Sequence, residues 1–156
     1  MKKLLVLIVC LAFVTGVSAI NQKEEKIPAA AKTAFVAKFP TAQKIKWSVE
    51  KSGEFEAEFI LNNVETSVLL DAKGNLLETE ARIKESELPQ GVKASIAKDF
   101  AGFKIDEIEK SADAKGVTTF EMEAVKGKVK LEISFDSNGK LLSKKPLKED
   151  KEDKKA

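Results

Sequence analysis

A seven-residue pattern that occurs twice constrains the fold of this chain more than any other feature of its sequence. Residues 71–77 read DAKGNLL and residues 136–142 read DSNGKLL, so both copies follow D-x-x-G-x-L-L. An Asp at the start of a turn accepts hydrogen bonds from nearby backbone amides, and a Gly takes the left-handed conformation that closes the turn. Each copy follows an apolar alternation. The pattern therefore predicts a β-hairpin turn before a strand, and its recurrence predicts an internal duplication.

The segment that opens the first half predicts a helix. Ile27-Pro28 suits a helix start, because proline lacks the N–H group that would be unpaired at that position. Pro40 predicts the helix end, because the residue before a proline is pushed out of the α region. An apolar stripe at four-residue spacing predicts the buried face of this helix: Ala31, Phe35 and Phe39.

Four strands are predicted after this helix. Residues 45–49 alternate apolar with polar side chains, which assigns Trp47 to the core rather than to a ligand platform. Residues 54–59 alternate Glu with Phe or Ala, the clearest period-2 run in the chain. Asn62-Asn63 predicts a tight turn, because Asn tolerates positive φ. Two further strands are predicted at residues 64–70 and 76–83.

The second half of the chain has the same order of features. Leu88-Pro89 matches Ile27-Pro28 at an offset of 61, and the helical stripe recurs in Val92, Ile96 and Phe100. From the second strand onward the offset is 65, so four extra residues fall in the first strand and its loop, where residues 112–116 predict a turn. The sequence predicts two tandem repeats, at residues 27–83 and 88–145.

Both ends of the chain carry segments outside these repeats. Residues 1–19 combine a basic start, an apolar run too short to span a bilayer, and a small-x-small end, which is typical of a secretory signal peptide. Cys10 follows the bulky Val9, which breaks the lipoprotein pattern; lipidation and a retained N-terminal anchor stay as alternatives. Residues 146–156 mix both charges and predict a disordered tail. We expect an exported protein, periplasmic or extracellular, with no membrane span once the signal is removed.

The composition argues against several classes of function. Removing residues 1–19 takes two of the 27 basic residues and no acid, leaving 25 of each sign and no electrostatic case for a nucleic-acid partner. The chain has no His, and its one Cys leaves with the signal. Common nucleophile–base pairs and typical zinc or copper sites therefore lack their residues. We expect no catalytic residue, no cofactor, no metal site and no disulfide.

The predicted fold class is α+β, with each repeat in the order α-β-β-β-β and both helices on one face of an antiparallel sheet. The other face then points to solvent. We take this face as the candidate binding face, formed by Glu54, Glu56, Glu58, Glu65, Glu121, Glu123, Lys128 and Lys130. Ser67 and Glu132 share it by alternation.

These features resemble those of the PepSY-like family of exported bacterial proteins. The resemblance rests on the I/L-P helix start, the hairpins after each helix, the aromatic second strand and the D-x-x-G-x-L turn, and it covers residues 27–145. That family is likened to the β-lactamase inhibitor protein, a tandem α/β repeat with a concave sheet. The resemblance implies an exported module that binds or inhibits another protein. The chain lacks disulfides and has few aromatics on the candidate face, so no inhibitor residue is carried over.

The favoured interpretation is a non-catalytic exported module that binds an unknown exported protein or peptide and inhibits or modulates it. A periplasmic small-ligand carrier or envelope sensor is the alternative, and it requires an apolar cavity between helices and sheet. A carboxylate hydrolase is the least favoured: Glu54, Glu56 and Glu58 are about 7 Å apart on one strand face, but acidic strand faces are usually solvated. Asp71 and Asp136 offer too few oxygen ligands for calcium.

Overall fold

The computed structural model describes residues 26–51 and 53–147. The predicted signal peptide at residues 1–19 lies outside the described residues, as do residues 148–156 of the predicted tail.

Two α-helices and a single antiparallel sheet of eight strands make up the described chain, which is therefore α+β as predicted. Each strand pairs with the next one in sequence, so the sheet order runs from β1 to β8. The elements in chain order are α1 (Ala29–Lys38), β1 (Gln43–Lys51), β2 (Glu54–Leu61), β3 (Val64–Asp71), β4 (Leu76–Arg82), a 3₁₀ turn (Glu85–Glu87), α2 (Gln90–Asp99), β5 (Lys104–Asp113), β6 (Thr118–Lys126), β7 (Val129–Asp136) and β8 (Leu141–Pro146).

Helix α1 begins and ends at the prolines that predict its limits. Pro28 is the extended residue before the helix, with φ −60° and ψ 143°. Phe39 precedes Pro40 and has left the α region, with φ −127° and ψ 62°. Ala31 and Phe35 are fully buried, so the predicted four-residue stripe is the face that α1 turns to the sheet.

Helix α2 follows the same rules after Pro89, which is again the extended residue before the helix. Val92 and Phe100 are buried, and Ile96 packs against them. The apolar spacing predicted from the sequence is thus confirmed for both helices.

Each helix covers the strands that follow it. Under α1, the Phe35 ring lies 5.3 Å from the Trp47 ring and 5.0 Å from the Phe59 ring, both edge to face. Under α2, the Phe100 ring lies 6.1 Å from the Phe135 ring in the same geometry. Trp47 therefore belongs to the first core, as its alternation predicted.

The two cores lie on the same face of the sheet. Directly paired residues point to the same face. Val68 of the first core pairs with Thr79, Thr79 with Ala112, and Ala112 with Thr118, two residues before Phe120 of the second core. Both helices pack on this face. We name the opposite face, which neither helix covers, the helix-free face.

The D-x-x-G turn closes three hairpins rather than the two predicted. It begins at Asp71, at Asp136 and also at Asp113, between β5 and β6. In each turn the Asp Oδ1 accepts two backbone N–H groups at 2.8 to 2.9 Å. The glycine three residues later has a φ of 79° to 86°. The pattern therefore marks a type of hairpin, and the pattern alone does not locate a repeat boundary.

Two of these turns also contact a helix. A β-carbon at Gly74 would lie 2.7 Å from the Ala30 carbonyl oxygen of α1, and one at Gly139 would overlap the Gly91 carbonyl of α2. A β-carbon at Gly116, in the third turn, would meet no atom within 4 Å. The close helix approach therefore requires glycine at two of the turns, in addition to their positive φ.

Two boundaries of the second half differ from their predicted positions. The turn expected at residues 112–116 starts later, because β5 continues to Asp113, which pairs with Glu78 of β4. Residue 146, the first residue of the predicted tail, belongs instead to β8, and the Leu147 N–H donates to the Lys130 carbonyl at 2.9 Å.

Candidate functional site

The strand register places a polar layer on the helix-free face. One row of directly paired residues crosses four strands, from Glu58 through Ser67 and Glu80 to Ser111. The next row runs through Arg82, Glu109, Glu121 and Ser134 on β4 to β7. A third row joins Glu123, Glu132 and Lys145 on β6 to β8.

Most of the predicted site residues lie on this face, but they fall into two groups. The β2 and β3 group is Glu54, Glu56, Glu58 and Glu65; the β6 and β7 group is Glu121, Glu123 and Lys130. Lys128 lies outside the strands, in the β6–β7 turn, and is exposed. Ser67 lies opposite Glu58, and Glu65 lies opposite Ile60, so neither pairs with Glu56 directly.

The residues that join the two groups escaped the sequence analysis. Glu78, Glu80 and Arg82 of β4 and Glu109 of β5 occupy the centre of the helix-free face. The β4 residues could have been predicted from the alternation in residues 77–82 (LETEAR), because it puts the two Glu and the Arg on one side of the strand. Positive φ at Glu107 (50°) and the break in pairing between Asp106 and Glu109 hid the corresponding alternation in β5.

Like charges stand opposite each other at several places on this face, including the following two. Glu109 pairs directly with Glu121, and Glu123 pairs directly with Glu132. Such pairs destabilise an antiparallel sheet when no counter-charge is present. Whether these pairs destabilise the sheet therefore depends on which cations lie close to them.

Two cations contact these acids, and both are already engaged. The Arg82 guanidinium lies 3.1 Å from the Glu65 carboxylate and 3.6 Å from that of Glu109, and it also contacts Glu107. Lys145 Nζ lies 3.0 Å from Glu132 Oε1. None of these ion pairs includes Glu121.

Glu121 is the most perturbed acid of the face. The residue is only 8% exposed, and its Oε1 has no hydrogen-bond partner among the described residues. Burial raises the pKa of the Glu121 carboxyl to about 8, and the negative charges of Glu132 and Glu80 add to the effect. Lys145 opposes it without contacting the carboxyl.

Two other carboxyls of the helix-free face, one on β4 and one on β2, also have raised pKa values, but the shifts are smaller. Burial raises the pKa of Glu80 to about 7, and repulsion from Glu78 contributes to the same shift. Burial also raises the pKa of Glu56 to about 7, against a hydrogen bond from Ser67. At neutral pH these groups therefore titrate, whereas an ordinary surface Glu is fully ionised.

The expectation of a simply solvated acidic face is wrong for its centre. Glu121, Glu132, Ser111 and Ser134 are all buried although neither helix covers them. A period-2 pattern assigns a face but does not tell how deeply its side chains pack.

Other kinds of site find little support in the part of the chain that the structure describes. No group of three or more His, Cys, Asp or Glu residues there is arranged to hold a metal ion. A shallow depression of about 320 Å³ lies beside α1, lined by Ala34, Ala37, Lys38, Leu70, Gly74 and Leu76. It lies on the helix side of the sheet, away from the carboxylates. Across residues 26–51 and 53–147, neither helix is long and apolar enough to cross a membrane.

The family comparison finds one match, in two overlapping segments. A family model described as "Putative beta-lactamase-inhibitor-like, PepSY-like" matches residues 18–78 and residues 53–143. The matched segments together extend from residue 18 to residue 143, well over half of the chain. No curated protein matches the chain.

Solved structures from Bacteroides share the fold. A "putative periplasmic" protein of Bacteroides eggerthii is 19% identical, with a TM-score of 0.72, over 78% of this chain and 89% of that one. A DUF2874-family protein of Bacteroides uniformis is 20% identical, with a TM-score of 0.70, over 76% and 88%. A BLIP-like protein of Bacteroides fragilis is 23% identical, with a TM-score of 0.67, over 80% and 90%. At these identities the likeness shows the fold.

Proposed function

This chain belongs to the PepSY-like, β-lactamase-inhibitor-like family, and from that membership we propose that it is an exported, non-catalytic protein that binds another exported protein through its helix-free face. Export was predicted from residues 1–19, and it agrees with the family and with the periplasmic description of the Bacteroides eggerthii neighbour. The partner is a protein or peptide.

The observation that carries this proposal is the composition of the helix-free face. An eight-stranded sheet leaves one broad face without helices, and that face bears packed, mutually repelling carboxylates instead of a loosely solvated surface. A fold tolerates such local conflicts mainly at functional sites. The proposed binding face therefore includes the strand residues predicted from the sequence, with Lys128 at its rim.

We further propose that the face is built from two tandem repeats, at residues 27–83 and 88–145. Equivalent positions make equivalent contacts: Gly74 packs on α1 through Ala30, and Gly139 packs on α2 through Gly91, and Ala30 and Gly91 are themselves 61 positions apart. The family model also matches twice, although its segments overlap and do not follow these limits. A duplicated unit would present two similar patches side by side to one partner.

The non-catalytic part of the proposal is supported by the residues available. The chain has no His, and the only Cys lies in the predicted signal. The carboxylates with raised pKa values lie on the sheet face, and the shallow depression beside α1 contains none of them. A glycosidase would need two carboxylates flanking a cleft.

Site-specific photo-crosslinking tests the proposal. A photoreactive residue at Ser67, which lies on β3 of the helix-free face directly opposite Glu80, is compared with one at Thr33, on the exposed side of α1. Both variants are incubated with the exported protein fraction of the source organism. We expect a protein adduct from position 67 that excess wild-type protein competes away, and none from position 33.

Adducts that form only from position 33 would contradict the proposal, because they would place the partner on the helix side. Activity assays of the captured partner, with and without this chain, then establish whether binding inhibits it.

A further inference from the structure

We propose that the partner inserts a lysine or arginine side chain beside Glu121, so that the helix-free face is a receptor for a cationic protein segment. This inference rests on the proposed function, because it names the chemistry of the partner that the same face binds.

The first step is the state of Glu121 itself. It sits on β6, between Glu109 of β5 and Ser134 of β7, near the centre of the face. The residue is more than nine-tenths buried, and its Oε1 lacks a hydrogen-bond partner among the described residues. A buried carboxylate oxygen without a donor is costly, and natural sites normally satisfy it.

The second step is the shortage of positive charge around it. Four carboxyls face one another across β4 to β7: Glu80, Glu109, Glu121 and Glu132. Arg82 is shared among Glu65, Glu107 and Glu109, and Lys145 is bound to Glu132. Among residues 26–51 and 53–147, Glu121 and Glu80 therefore have no cation in contact, and one more positive group would neutralise them.

The third step is the small size of the side chains beside Glu121. Ser134 lies directly opposite Glu121, and Ser111 and Thr119 occupy the neighbouring row. A long side chain can pass over such short ones and place its charged end beside a carboxylate. The hydroxyl oxygens can accept the remaining N–H donors of an ammonium or guanidinium group.

A partner's cationic side chain fits this site better than a metal ion does. Calcium needs six to eight oxygens within about 2.6 Å, whereas these carboxylates stand on separate strands about 4.8 Å apart. The described residues also form no metal-binding group. The chain's own residues 148–156 carry four lysines and four acids, so they bring no surplus of positive charge.

The test uses capped hexalysine as a defined probe, titrated into the ¹⁵N-labelled protein at pH 7 in low salt. Glu121→Gln keeps the shape of the side chain and removes the acidic group that could ionise to pair with an arriving cation. Glu85→Gln is the matched control, because Glu85 is exposed on the 3₁₀ turn, outside the face. We expect shifts in the amides around Glu121 and a dissociation constant raised about 5-fold or more by E121Q and less than about 2-fold by E85Q.

Proton release provides the second readout. Because burial raises the pKa of the Glu121 carboxyl to about 8, most of it carries a proton at pH 7, and an arriving cation would expel that proton. Calorimetry in two buffers of different ionisation enthalpy should therefore detect proton release with the wild type and a smaller release with E121Q. Other ionisable groups also face this carboxyl: Glu80, Glu109, Glu132 and Lys145. The proton release that Glu121 contributes is therefore the difference between the wild type and E121Q.

Several outcomes would overturn the proposal. Equal weakening by E121Q and E85Q would mean general attraction between unlike charges, and no binding of hexalysine would reject the site outright. Shifts around Glu121 caused by submillimolar Ca²⁺ would make it a metal site. Self-association abolished by E121Q would make a second copy the occupant, and shifts lost on removing residues 148–156 would make the tail the occupant.

The two proposals fail differently. If crosslinking at position 67 captures a partner but hexalysine does not act at Glu121, the face binds proteins and only the cationic chemistry is wrong. If hexalysine binds as expected but crosslinks form only from position 33, the acidic site is real and the proposed function is wrong.

Discussion

The Glu121 carboxyl is where the physical chemistry of this protein departs most from that of an ordinary surface. It is buried, faces Glu109 across the strand pair, and leaves one oxygen unbonded within the described residues. Its pKa of about 8 in the folded protein lies well above 4.5, the ordinary value for a glutamate. The folded protein therefore holds a proton there that the unfolded chain releases between these pH values.

This difference predicts how stability depends on pH. With a raised folded pKa, the protonated carboxyl favours folding at low pH, and that advantage is lost as the pH rises from about 4.5 to about 8. Glu121→Gln should therefore leave stability almost unchanged at pH 4.5 and raise it by about 2 kcal/mol at pH 9, a value discounted from about 1.4 kcal/mol for each pH unit of separation. Urea unfolding at the two pH values measures it.

Glu85→Gln serves as the control for this prediction, because the exposed Glu85 lies outside the helix-free face. It should change the unfolding free energy by less than about 0.5 kcal/mol at either pH. A Glu121→Gln effect that is the same at pH 4.5 and pH 9 would show that the carboxyl is not perturbed as the structure indicates.

At the scale of elements, the D-x-x-G turns have two roles: all three reverse the chain, and two of them also pack against a helix. All three turns use an Asp carboxylate to bind backbone amides and a glycine with positive φ. Only the turns at Gly74 and Gly139 also press against a helix. In the sequence, these two turns differ from the third because each is followed by two leucines, at residues 76–77 and 141–142.

This distinction predicts unequal effects of the same substitution. Gly116→Ala should cost about 1 to 2 kcal/mol, the cost of placing a β-carbon at positive φ. Gly139→Ala should cost more than about 3 kcal/mol, because its β-carbon also overlaps the Gly91 carbonyl and must push α2 from the sheet. Thermal and urea unfolding of both variants, made in parallel, give the comparison. Equal losses of stability in the two variants would mean that α2 can move away from the turn at no cost in free energy.

Local chemistry explains which elements were predictable. Prolines predicted both limits of α1 and the start of α2, and alternation in residues 54–59 predicted a strand and its buried side. The pairing of β4 with β5 joins residues about 30 positions apart, and a bulge at Glu107 interrupts the pairing of β5 with β6. No local sequence pattern reveals either feature. The centre of the candidate site was missed because it lies at that junction.

At the scale of the whole molecule, the charge distribution is uneven although the predicted mature chain is neutral. Acids concentrate on the helix-free face, and exposed lysines lie on the helices, at Lys32, Lys38 and Lys98. The chain is therefore neutral overall, but its charges are separated and one side of the molecule is acidic. Attraction of a cationic partner to that side should weaken as salt is added, because the Debye length falls from about 10 Å at 0.1 M to about 3 Å at 1 M.

The continuous sheet also bears on how the molecule unfolds. The two apolar cores are separate clusters, but β4 and β5 join them through five register pairs. Arg82 adds contacts from β4 to Glu65 of β3 and to Glu107 and Glu109 of β5. We therefore expect the two halves to unfold together, despite their resemblance to separate units.

The single tryptophan makes this expectation measurable. Trp47 packs in the first core, against Phe35, whereas Phe135 is fully buried in the second. Phe135→Ala should destabilise the protein by about 3 to 5 kcal/mol and lower the urea midpoint of Trp47 fluorescence by the same amount as that of far-ultraviolet circular dichroism. Val117→Ala, at an exposed site, should move neither. A fluorescence midpoint that stays in place while the dichroism midpoint falls would show two independent folding units, each half holding its own core without support from the shared sheet.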